Sequence, residues 1–289
     1  MVRSRHLDII WLLLKSPMDS EMIFRASANF RIPYTSIGNL RNDILLLHEQ
    51  GFINRQAIPS TSRGQKRFLY FPNKRIKRLP QFSDMYLTNA AFRGFSGSQW
   101  HSEATSEFVS YFEHDAGALK PRIKIHASIR DGYFKAPLKV DLHNSEKTTS
   151  LIPDYTLVPE IDGEPSLLFL EMFNTPALIN PFSPQSVGRS VRFKMFKYKT
   201  FRSSLQKHPV IEDLQNQFGH RFHGFRVLMV TTQDDSHLKR LLSCAKKDGY
   251  QTMFYFSTMD QIRSSNLFTD NIWSLPNSTQ RGLIDAPPV

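Results

Sequence analysis

The sequence predicts a mixed α+β protein in two parts. A small basic module of helices and a hairpin comes first, then an α/β domain built on a mixed sheet. Three observations predict this. Residues Met1 to Pro80 hold 14 basic and 5 acidic side chains, a net +9, which leaves only +2 of the total +11 for the rest of the chain. Three short helical apolar patterns in that segment precede two strand-like runs. Beyond residue 99, helical stretches and apolar strand runs interleave, the pattern of an α/β core.

In order, Ile9, Ile10, Leu12, Leu13 and Leu14 mark a first helix behind Arg3 and Arg5. Asp19 or Ser20 caps a second, with Met22, Ile23 and Ala26 inward. Ile32-Pro33-Tyr34 breaks the pattern, because the residue before proline is pushed away from helical geometry. Thr35 or Ser36 caps a third helix through Ile37, Leu40, Ile44 and Leu47, which stops at Gly51. Phe52 to Arg55 and Phe68 to Phe71 then read as strands joined by the polar tip Ser60 to Arg67.

Three helices followed by a basic hairpin describe a winged helix-turn-helix over residues 1–78. The polar side of its third helix offers Ser36, Asn39, Arg41 and Asn42 to base edges in a major groove. Arg63, Lys66 and Arg67 at the wing reach phosphate or the minor groove. The expected partner is double-stranded DNA, bound with the salt dependence of counterion release. The alternative is a module for dimerisation or protein contact whose charges are merely solvated.

The 289 residues suffice for two domains, each with its own core. Residues 79–98 read as a linker, 99–280 as the second domain and 281–289 as a disordered tail. The single cysteine, Cys244, excludes an internal disulfide and suits a reducing cytoplasm. The apolar run at the first helix is too short for a signal-peptide core or a membrane span, so no membrane partner is expected.

In the second domain, Ile152 to Val158 and Ser166 to Phe173 are strand-like and flank Ile161-Asp162-Gly163-Glu164. Asp-Gly is a strong two-residue hairpin signal. If Ile161 pairs with Glu164, the register sets Asp154 opposite Glu171. Cross-strand neighbours have Cβ atoms about 5 Å apart. Two facing carboxylates on apolar strands need a positive charge between them. A divalent cation, Mg²⁺ or Mn²⁺, held by Asp154 and Glu171 would serve, and could activate water for phosphodiester cleavage. The alternatives are a carboxylate turned to solvent or a register shifted by a bulge.

Two helices flank this hairpin in sequence. Ser98 to His114 carries Trp100, Ala104, Phe108, Tyr111 and Phe112 on one face, with His101 within it and Glu107 at its edge. A lone histidine on an apolar face is usually a core residue, which makes Glu107 the better acidic candidate. Gln185 to Gln206 carries Val187, Val191, Tyr198, Phe201 and Leu205 inward. Lys194 lies in that stripe, about 20° from Val187, and needs a carboxylate or phosphate partner. It could stabilise a phosphate in a transition state or neutralise the Asp154/Glu171 pair. Phe225 to Thr232, a helix presenting Leu238, Leu241, Leu242 and Ala245, and Gln251 to Phe256 complete the α/β pattern.

Pro153-Asp154, Glu171 after a hairpin and a following helix resemble the PD-(D/E)XK nuclease, or restriction-endonuclease-like, fold. Nearly the whole chain is similar to the replication-relaxation family of plasmids and other bacterial mobile elements. That family joins a winged helix to a nuclease-like domain. His101, Pro153-Asp154, Glu171, Lys194 with Tyr198, and the segment Phe225 to Ala245 carry the likeness. The nuclease motif would place lysine two residues after the glutamate, where this chain has Phe173; the replication-relaxation pattern has an acidic residue there, then a threonine that Thr175 answers. Lys194 supplies the missing charge from the next helix, or the site binds DNA without cutting it.

The resemblance implies a DNA-binding protein of a plasmid or mobile element, acting in replication, mobilisation or control. A homodimer and replication or mobilisation proteins are partners this reading admits. If the site is catalytic, Asp154 and Glu171 bind Mg²⁺ or Mn²⁺, Lys194 stabilises phosphate, and Glu107 or His101 assists. The competing classes are an active metal-dependent DNA endonuclease and a non-enzymatic winged-helix transcriptional regulator.

Overall fold

The computed structural model describes residues 3–59, 67–83, 89–94, 99–130, 134–142, 145–174, 190–250, 252–277 and 279–285. The protein is a mixed α+β chain with a mixed sheet, and it divides into two compact units, 1–120 and 121–289.

The first unit opens with α1 (Ser4–Lys15), α2 (Ser20–Ala26) and α3 (Ile37–Glu49). Asp19 caps α2 by accepting from the Glu21 and Met22 amides, and Ser36 caps α3 through Gly38. The strands β1 (Ile53–Ile58) and β2 (Arg67–Pro72) pair antiparallel from Ile53–Pro72 to Ile58–Arg67. Met18 adds a single bridge to Tyr70. A 3₁₀ turn at Lys74–Arg78 buries Ile76, and within the predicted linker Phe82 is buried against Trp11 with ring centroids 4.9 Å apart.

The long helix α4 (Gln99–Ala118) also belongs to this unit, whereas the sequence places it in the second domain. A polar stripe with helical spacing holds it there. Glu103 pairs with Arg67 at 2.8 Å, Ser106 bonds Ser16 at 2.7 Å, and Ser110 accepts from Arg25 at 2.7 Å. Buried Glu113 takes both Lys15 and Asn29 at 2.6 Å. Gly117 lets α4 approach the chain closely, since a Cβ there would lie 2.5 Å from the Ala28 carbonyl carbon. Ala104, Phe108 and Phe112 face inward as the periodicity requires, but Trp100 is 67% exposed.

The second unit is organised on one sheet, joined in the order β12-β11-β10-β9-β8-β6-β3. Its strands are β3 (Ile123–Arg130), β6 (Tyr155–Ile161), β8 (Leu168–Phe173), β9 (Arg226–Thr231), β10 (Phe254–Thr258), β11 (Trp273–Ser274) and β12 (Gln280–Arg281). The short β7 (Glu164–Pro165) pairs with β6, and β4 (Ala136–Leu142) pairs with β5 (Ser145–Leu151) as a separate hairpin. β3, β6 and β8 are antiparallel neighbours; β8, β9 and β10 are parallel. The segment between β8 and β9 carries α5 (Val191–Ser203) and α6 (Pro209–Phe218), and α7 (Asp235–Lys247) links β9 to β10. A short α8 (Met259–Ser264) follows β10.

One core gathers Val158, Phe169, Phe173, Tyr198, Phe201, Phe225, Val227 and Phe254 between the sheet and α5. Cys244 on α7 is a free, buried thiol. The predicted disordered tail, 281–289, is corrected in part: Arg281 pairs with Trp273 of β11, Leu283 is buried, and the Ile284 amide bonds the Phe268 carbonyl. Residues 286–289 lie outside the described residues. Among the described residues no helix is long and apolar enough to cross a membrane.

Candidate functional site

The hairpin between β6 and β8 has the register read from the Asp-Gly turn. Ile161 pairs with Glu164 and Tyr155 with Leu170. Asp162 and Gly163 both take positive φ, 51° and 88°, as a two-residue turn of this hand demands. The ladder ends at Tyr155. Asp154 donates its amide to the Leu170 carbonyl at 3.1 Å and turns its carboxylate back to accept the Met172 N–H at 2.7 Å. The side chain thus stands in for a main-chain acceptor just beyond β6.

Glu171 is 1% exposed and projects into the aromatic core. Its neighbours on the same face of β8 are Phe169 and Phe173, which pack with α5 and β9. Both carboxylate oxygens are engaged. Tyr198 donates its hydroxyl to Oε1 at 2.7 Å, and Lys194 forms a close ion pair with Oε2. The two donors lie four residues apart on α5, one turn of helix, so a single helix face delivers both. The Lys194 ammonium also lies 5.5 Å from the centre of the Phe173 ring.

Burial raises the Glu171 carboxyl above its ordinary range; Lys194 opposes this, and the Asp154 charge adds to it. Lys194 feels the opposite balance. Burial disfavours its charge, but Glu171, helped by Asp154, more than restores it and holds the ammonium protonated. Burial is also the largest influence raising the Tyr198 phenol, which stays a neutral donor. With Glu171 ionised, the arrangement is a buried carboxylate balanced by an ammonium 27% exposed at its side chain. Lys197, on the same helix, donates to the Ser150 carbonyl at 3.1 Å, and its pKa is lowered chiefly by burial.

The family resemblance implies a divalent cation at Asp154 and Glu171, and the donors fit it poorly. An ion on Glu171 would share both oxygens with Lys194 and Tyr198. On Asp154 one oxygen already serves the Met172 amide. The positive charge that the facing carboxylates require comes from Lys194 itself.

The other sequence candidates fall in two groups. His101 and Glu107 lie on α4, in the first unit, while Asp154, Glu171 and Lys194 lie in the second. Ser36, Asn39, Arg41 and Asn42 are all exposed on or at the start of α3, and Arg41 also reaches the Ser20 hydroxyl at 3.4 Å. Arg67 is committed within its unit, to Asp19 at 2.5 Å and Glu103 at 2.8 Å. Arg63, Lys66 and Thr175 lie outside the described residues. Sequence reasoning missed the Tyr198 hydroxyl as a Glu171 partner, although its spacing from Lys194 was readable. It also missed β3 and β4, although Ile123, Ile125, Ala127 and Ile129 alternate with polar residues along β3 and Ala136, Leu138 and Val140 alternate along β4, a period-two signal that was there to be read; β5, Ser145 to Leu151, is polar with little alternation.

Comparison of the chain with protein-family models, with curated proteins and with solved structures returned no match.

Proposed function

We propose that this chain is a DNA-binding protein in which a nuclease-like domain serves as a charge-compensated platform rather than a cutting centre. More narrowly, we infer a protein of a plasmid or mobile element acting in its replication, mobilisation or control, on the strength of the motif order that resembles the replication-relaxation family. The first unit supports duplex recognition through the exposed polar residues of α3 and the +9 charge of residues 1–80. The order β3-β6-β8-β9, antiparallel and then parallel across α5, supports the nuclease-like reading of the second unit.

The single observation that carries the non-cutting reading is the Lys194–Glu171 pair. The motif lysine absent at Phe173 is replaced from α5, but the ammonium binds the carboxylate that would hold the metal. The same observation also gives the rival some support, because a lysine delivered from a neighbouring helix could stabilise a phosphate. The test is plasmid nicking with Mg²⁺ or Mn²⁺ by the wild type, Asp154→Ala and Glu171→Ala, alongside DNA retention with and without chelator. The expected result is no cutting and equal, chelator-insensitive retention by all three. Metal-dependent cutting lost in both variants would make the protein an endonuclease. Absence of DNA retention at low salt would overturn both readings.

A further inference from the structure

At the other end of β6 from Asp154, three metal-ligating side chains from three separate elements converge. His126 comes from β3, Glu160 from β6 and His220 from the residues after α6. One ligand atom from each lies within 4.8 Å of the others. His126 Nε2 is 2.8 Å from Glu160 Oε2, and the two imidazole centroids are 5.6 Å apart.

The local backbone explains why they meet. The β3–β6 register runs from Ile123–Ile161 to Ile125–Pro159 and resumes at Ala127–Val158, so His126 is the extra residue of a bulge. A bulge bends its strand and re-aims a side chain, and such irregularities recur beside functional sites. His220 follows Gly219, whose left-handed conformation (φ 68°) ends α6 and turns the chain. All three residues are half-buried, so an ion could enter while a solvent ligand remained. The ring of Phe218 beside His126, with centroids 6.4 Å apart, supplies an apolar wall.

We propose that His126, Glu160 and His220 form a binding site for a borderline transition-metal cation, with Zn²⁺ the best match and water as the fourth ligand. Two imidazoles and one carboxylate are a donor set that selects such ions over Mg²⁺, which prefers all-oxygen coordination. Tetrahedral bonds of about 2.0–2.1 Å put ligand atoms about 3.3 Å apart, a spacing these groups reach by small side-chain adjustments. The site stands apart from the Asp154/Glu171 pair: Glu160 is six residue steps along the extended chain from Asp154, about 20 Å. It therefore stands or falls independently of the nuclease-like reading. Bound metal would clamp the β3 bulge, β6 and the exit of α6 to one another.

The full-length protein, stripped with chelator, is titrated with Co²⁺ and then Zn²⁺ in excess Mg²⁺. Visible absorption reports coordination and thermal unfolding reports stabilisation. The expected result is one tightly bound ion per chain, a tetrahedral Co²⁺ spectrum displaced by Zn²⁺, and a raised unfolding temperature. His220→Ala, outside helix and strand, and His126→Gln should each weaken binding by more than about 100-fold. If either variant unfolds, the other decides. No Co²⁺ spectrum in the wild type, or a spectrum that survives in a folded variant, overturns the assignment.

Discussion

Lys194 of α5 and Glu171 of β8 are paired across the core of the second unit, and Tyr198, one helical turn beyond Lys194, secures the other oxygen of the same carboxylate. Removing one charge strands the other. Lys194→Met should destabilise the second unit by about 3–5 kcal/mol, the usual cost of an uncompensated buried charge. Adding Glu171→Gln to Lys194→Met should recover a large part of that loss. Denaturant unfolding of the wild type, Lys194→Met, Glu171→Gln and the double variant measures this cycle; a loss below about 1 kcal/mol for Lys194→Met would show that the ammonium is dispensable.

Arg67 has a structural duty that its place in the predicted basic hairpin does not announce. It ties the cap residue of α2, Asp19, to Glu103 of α4. Arg67→Ala should lower the stability of the first unit by about 1.5–3 kcal/mol, as for hydrogen bonds to charged groups. Under conditions where the variant stays folded, the salt slope of the proposed DNA binding should hardly change. A slope shallower by about one unit would instead put Arg67 on a phosphate.

Acid should loosen the first unit through Asp43. Burial alone would raise its carboxyl, but hydrogen bonds from Tyr34 at 2.7 Å and His6 at 3.1 Å outweigh that and hold it below the ordinary value. His6 Nδ1 accepts from the Arg3 amide, so the neutral ring can donate from Nε2. A lowered folded-state pKa contributes stability above the unfolded-state pKa, about 3.9, and that contribution is lost as pH falls through the folded value. Asp43→Asn should therefore be less stable at neutral pH and should lose less on acidification below about pH 4. Parallel stability-versus-pH curves for the two proteins would remove Asp43 as the source.

Gly117→Ala tests the seating of α4. The added methyl would meet the main chain at Ala28 and Asn29, which cannot turn aside as a side chain can. Helix propensity alone favours alanine by about 1 kcal/mol, so the two effects have opposite signs. The clash should win, with a net loss of about 1–3 kcal/mol in thermal or denaturant unfolding. A stabilised variant would mean that α4 is not held at this spacing.

The clearest sequence signals were local ones. Asp162-Gly163 specified a hairpin whose register ran on to Tyr155–Leu170, because a two-residue turn with positive φ at both positions leaves one way to pair the strands. Capping by Asp19 and Ser36 was legible for the same reason: a short side chain satisfies its own helix end. Apolar spacing likewise marked the inward faces of α5 and α7.

What only the tertiary structure decided depends on partners far away in the chain. Glu103, Ser106, Ser110 and Glu113 lie off the apolar face of α4 and carry no signal of a partner in the sequence, yet each meets a group between Lys15 and Arg67, which carries α4 into the first unit. No local periodicity contains that information, since the partners lie 36 to 98 residues away. Lys194 could be read as needing an anion; that the anion is Glu171 follows from the packing of α5 on β8. The bulge at His126 was equally invisible, because an extra residue is defined only against the strand it fails to match. The sequence by itself determined the hairpin register, the helix caps and the placing of charge, all set within a few residues. The fold decided which charges neutralise one another, because that depends on which surfaces share a core.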